Sequence, residues 1–89
     1  MTSAYLEVTY KHGRAIAAYF YLPRQGRHKA TSTRRAEPGL VIDLAANGVP
    51  LGIEITAPSK LTLGALNRVL KQLGCPRLKR ADLAPLRVA

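Results

Sequence analysis

Tryptophan is absent from the chain, cysteine and phenylalanine occur once each, and only five acidic residues stand among 89. Each shortage excludes something. A lone cysteine, Cys75, cannot close an intrachain disulfide, and Met1-Thr2-Ser3-Ala4 lacks the basic and apolar regions of a secretion signal. Together these predict a reducing, cytoplasmic setting. No apolar run approaches the roughly 20 residues of a membrane-spanning helix, so no membrane role is expected. Metal binding needs several converging ligands. Cys75, His12 and His28 are too scattered to supply them, so neither a metal nor a cofactor is expected. The seven glycines occur singly, with no phosphate-binding loop pattern, and Ser59 has no histidine near it in sequence.

What the chain does have is positive charge. Fourteen Lys and Arg against five Asp and Glu give a net +9, a field that attracts phosphate backbones, anionic membrane surfaces or acidic proteins, or serves solubility alone. Residues 1–89 suffice for one domain. A chain this short buries only about 60–65% of its unfolded surface, which argues against an enzyme with a deep cavity.

Residues 4–10 alternate and carry β-branched and aromatic side chains, so they read as a strand, and residues 14–22 read as a second. Lys11-His12-Gly13 predicts a three-residue loop, a type I turn closed by a glycine bulge. That loop pairs Tyr10 with Arg14, Val8 with Ile16, Leu6 with Ala18 and Ala4 with Phe20, and sets Ile16 on the apolar face. Residues 31–36 suit a charged edge strand. Residues 39–45 and 50–56 are the strongest strand signals, and Asn47-Gly48 predicts a two-residue turn between them, with a three- or four-residue loop as the alternative that would shift the pairing. The two-residue register sets Leu44 against Leu51, Ile42 against Ile53 and Leu40 against Ile55. Leu63, Leu66, Leu70 and Leu73 recur at helical spacing over 63–73, capped by Thr62 and stopped by Gly74 and Pro76. A short helical turn is expected near 82–85. The whole predicts an α+β fold: an antiparallel sheet of four to five strands, in two hairpins, with one C-terminal helix packed on one face.

The opposite face would carry Tyr5, Tyr19, Tyr21, Asp43 and Glu54. Asp43 and Glu54 lie diagonally across a hairpin and could in principle do acid–base work. With solvent and Arg34 or Arg35 nearby they read instead as ionised surface groups held in ion pairs, so no enzyme is expected. Cys75 follows a helix C-terminus, where the dipole raises a thiol pKa, and reads as an apolar filler. Tyrosines on a sheet face suit burial against a protein partner or a second copy of the chain. The alternative is nucleic acid, with tyrosines stacking bases and Arg24, Arg27, Lys29, Arg34 and Arg35 holding phosphate.

Glu37-Pro38-Gly39-Leu40-Val41-Ile42-Asp43, then Gly48, then Gly52-Ile53-Glu54-Ile55 resembles a family of small bacterial and phage-associated proteins catalogued as a domain of unknown function. Its pattern is a G-x-V-x-D strand, a glycine turn and a G-I-E-I strand, and Ala18 to Leu22 fits its first hairpin loosely. The resemblance covers about two-thirds of the chain and marks Asp43, Gly52 and Glu54. It implies an antitoxin-like or partner-binding role. Members are commonly acidic, whereas this chain is basic, which keeps nucleic acid open as the alternative partner.

Overall fold

The computed structural model describes residues 4–23 and 29–86. Five strands are formed: β1 (Tyr5–Lys11), β2 (Arg14–Tyr21), β3 (Ala30–Glu37), β4 (Leu40–Ala45) and β5 (Pro50–Ile55). They make one antiparallel sheet in the order β1-β2-β5-β4-β3. A 3₁₀ turn (Pro58–Lys60), one α-helix, α1 (Leu63–Gln72), and a kinked 3₁₀ tail (Arg80–Leu86) follow. Among the described residues no helix is long and apolar enough to cross a membrane. The α+β reading holds, with Leu40, Ile42, Ile53 and Ile55 in one core with Leu66, Val69 and Leu70 of α1.

Each end of α1 is closed by side chain or backbone geometry. The Thr62 hydroxyl accepts from the Ala65 amide at 3.1 Å, satisfying one of the amides that a helix start leaves unpaired. At the other end Gly74 has φ 71°. The Cys75 amide bonds to the Leu70 carbonyl at 2.9 Å and the Gly74 amide to that of Lys71 at 3.1 Å, a Schellman stop.

Both hairpin turns differ from the sequence expectation, and they do so in opposite directions. The first is a two-residue turn: Lys11 pairs with Arg14, and His12 and Gly13 both have positive φ, 52° and 77°. That is the backbone a type I′ turn requires. The turn and a bulge beyond it each shift the pairing by one residue, so Val8 faces Ala18 and Leu6 faces Phe20, two residues from the expected partners. The bulge, between Thr9 and Tyr10, opposes three β2 residues to two on β1. It ejects Ile16, which is 48% exposed instead of lying in the core, while Ala15 packs inward.

The second turn is the longer one. The Gly48 amide bonds to the Ala45 carbonyl, the Ala45 amide bonds to the Val49 carbonyl, and only Gly48 has positive φ, 83°. These mark a three-residue loop, Ala46-Asn47-Gly48, held further by the Asn47 side chain accepting from the Val49 amide. Leu44 therefore meets Pro50 rather than Leu51, and a bulge beside Asp43 restores the expected Ile42–Ile53 and Leu40–Ile55 pairs.

The tail is part of the core. Leu83 and Leu86 are buried with the strand and helix residues, and two polar contacts hold the segment down. The Asn67 side chain, on α1, accepts from the Leu78 amide at 2.7 Å and donates to its carbonyl at 3.0 Å. The Tyr10 hydroxyl donates to the Pro85 carbonyl at 3.2 Å.

Candidate functional site

The uncovered side of the sheet carries the residues singled out above. Cross-strand partners share a face, so the register writes two neighbouring rows across the sheet. One runs Tyr5, Tyr21, Gly52, Asp43, Thr33; the other runs Glu7, Tyr19, Glu54, Val41, Arg35. Asp43 and Glu54 are diagonal neighbours, as expected.

Gly52 leaves a gap in the first row, between Tyr21 and Asp43. Tyr19 leans from the second row into that gap. A β-carbon at position 52 would overlap its ring and hydroxyl, and the hydroxyl donates to Asp43 Oδ2 at 2.7 Å. Glycine inside a strong strand often marks such a close approach. The other rings line up behind it. Tyr19 and Tyr21 have centroids 4.6 Å apart, tilted by 54°, and Tyr21 stacks on Tyr5 at 4.4 Å and 15°. The Tyr21 hydroxyl donates to Glu7 Oε1 at 3.2 Å. Partial burial pushes the Tyr21 phenol above its usual value, and the nearby Glu7 carboxylate pushes it further. Two hydroxyls are thus spent on tying rings to the sheet, and the ring surfaces are held in place by neighbours on the same face.

The arginines expected to accompany the tyrosines are elsewhere. Arg34 faces Ile42 and Arg35 faces Val41, so the two take opposite sides of the β3 edge. Arg35 shares a row with Tyr19 but sits three strand spacings away, about 14 Å. Lys29 is exposed just before β3. Arg24, Arg27 and His28 lie outside the described residues. Asp43 is held by Tyr19, not by Arg34 or Arg35. The ion pair that does form was not foreseen: Arg68 of α1 grips both oxygens of Glu37 at 2.9 Å. It holds the Glu37 carboxyl below its usual range and raises the Arg68 guanidinium.

Charge is unevenly spread, although Arg35 joins the carboxylates on the open face. Glu7, Asp43 and Glu54, three of the five acids, lie on the open face. Lys60, Arg68, Lys71, Arg77, Lys79 and Arg80 are all exposed on the segments that follow the sheet. Cys75 is half-buried against the core, and burial raises its thiol pKa. The direction is the one expected from sequence, and burial supplies it. Among the described residues no three His, Cys, Asp or Glu side chains lie together in a way that could hold a metal ion.

Comparison with protein-family models, with curated proteins and with solved structures finds no match.

Proposed function

We propose that this protein is a binding module with no reaction of its own, whose open sheet face takes a positively charged segment of another protein. The observation that carries this reading is the locked row Tyr5, Tyr21, Tyr19 with carboxylates on both sides of it. Arginine and lysine are attracted to tyrosine ring faces by about 0.5–2 kcal/mol each, and the carboxylates of Glu7, Asp43 and Glu54 add charge complementarity. Rings already held in place lose little freedom on binding, which favours affinity. The same carboxylates repel phosphate, which weighs against stacked bases on this face. A cationic partner also agrees with the antitoxin-like role implied by Gly39–Asp43 and Gly52–Ile55.

The test uses the absence of tryptophan, which leaves the four tyrosines as the source of intrinsic emission. Titration with a peptide of alternating Arg and Val should give a saturable change in that emission. The Glu7→Gln/Asp43→Asn/Glu54→Gln variant keeps an acceptor for Tyr19 and should bind at least about tenfold more weakly, a loss of ~1.4 kcal/mol. No response, or equal binding by the variant, rejects the proposal. A sizing-column shift that the same three substitutions abolish would replace it with self-association.

A further inference from the structure

Strand β2 is longer than the part of it that β5 covers. The two pair only from Ala18 to Tyr21, and after Ile55 the chain turns away into the Pro58–Lys60 turn. Residues 14–17 and the hairpin tip therefore overhang, and a cavity of about 560 Å³ opens between the tip and the Thr56–Ser59 corner. This volume is within the usual range of small-molecule sites, about 300–1,000 Å³.

Its lining joins two chemistries. Lys11, His12 and Arg14 stand at the tip, with Ser59 opposite, and no carboxylate lines the cavity. Among the described residues the side chains of Lys11, His12 and Arg14 have no hydrogen-bond or ion-pair partner. Apart from Thr56, the rest of the wall is apolar, and includes Ile16, which the bulge turned out of the core. His12 holds a positive φ of 52°, a conformation uncommon outside glycine, so the ring is set at the tip by a defined turn. The other cationic groove, between α1 and the tail, differs in that its Arg68 is already neutralised by Glu37.

We infer that this cavity binds a phosphate monoester carried on a body with an apolar face, of about mononucleotide size. Two cations and an imidazole lining one cavity suit an anion with three terminal oxygens better than a carboxylate, which offers two. The exposed Ile16 and the neighbouring Pro58 supply a surface for the uncharged part.

The full chain, labelled with nitrogen-15, is titrated with adenosine monophosphate, inorganic phosphate and adenosine. The monophosphate should shift the amides of residues 11–16 and 56–59 saturably. Inorganic phosphate should shift the same tip amides more weakly, and adenosine should shift none. Lys11→Gln/Arg14→Gln should weaken monophosphate binding at least tenfold. Lys71→Gln/Arg77→Gln removes the same charge from the other groove and should leave binding unchanged. His12→Asn keeps a residue tolerant of the turn, and should weaken binding without lowering the thermal midpoint. Absence of shifts, shifts centred on residues 64–77, or an equal loss in both double variants would overturn the assignment. So would a thymidine decamer that binds at the tip while the monophosphate does not.

Discussion

Tyr19 fills the space that any side chain at Gly52 would need, and its hydroxyl reaches Asp43 by passing over that glycine. The pair is coupled: the ring can lie there only because the neighbour has no β-carbon. Gly52→Ala should therefore destabilise the fold by about 1–3 kcal/mol through overpacking. In a Tyr19→Ala background the same change should turn neutral or stabilising by up to about 1 kcal/mol, since alanine suits a strand better than glycine. Urea unfolding of the four proteins in this cycle measures the sign reversal. Additive effects would mean that the two residues do not compete for space.

Asn67 is the clamp of the tail. It answers both the amide and the carbonyl of Leu78, so Asn67→Ala leaves two half-buried backbone groups without partners. The cost should be about 1–3 kcal/mol. Hydrogen exchange should show the Leu78 amide losing protection while α1 keeps its own.

Leu83 and Ile16 test where the core ends. Leu83 is fully buried and Ile16 is 48% exposed. Leu83→Ala should cost about 2–5 kcal/mol, whereas Ile16→Ala should stay within about 0.5 kcal/mol. Chemical denaturation of the two variants gives both numbers. A large loss for Ile16→Ala would restore the expected register, in which that side chain faces inward.

The Glu37–Arg68 pair makes acid stability depend on pH in a defined direction. The Arg68 hydrogen bonds hold the folded carboxyl below its usual value of 4.5. The unfolded chain therefore binds the proton more readily, and the pair's contribution is complete above about pH 4.5. It is lost as pH falls through the lower, folded value. Thermal midpoints of Glu37→Gln should decline less steeply than those of the native protein over that acid range, and the two curves should run parallel near neutrality.

Strand parity was legible because it depends on alternation, and alternation survives a wrong turn. Leu40, Ile42, Ile53 and Ile55 face Leu66 and Leu70 as expected, although the Asn47-Gly48 turn has one residue more than its dipeptide suggests. The bulge beside Asp43 absorbs that difference. His12-Gly13 went the other way, because a histidine in the left-handed region is uncommon and the three-residue loop avoids it. Ile16 was lost with that register. Thr62 and Gly74 were readable because cap chemistry is local. The Asn67–Leu78 clamp and the Glu37–Arg68 pair span 11 and 31 residues, and no local pattern announces them. Gly52 did leave a signal, a glycine inside a strong strand. What it makes room for follows only from knowing that β2 lies next to β5.

The uneven spread of charge has a bearing on how a partner arrives. Far from the surface a cationic protein meets a net charge of +9 and is turned back. Close to the sheet the carboxylates of Glu7, Asp43 and Glu54 act locally against it. Dissolved ions at 0.1 M mute interactions beyond about 10 Å while sparing close ones. Encounter should accordingly quicken as salt is raised from low levels, the reverse of ordinary steering between opposite charges, and the molecule would accept its partner most readily where its own bulk repulsion is hidden.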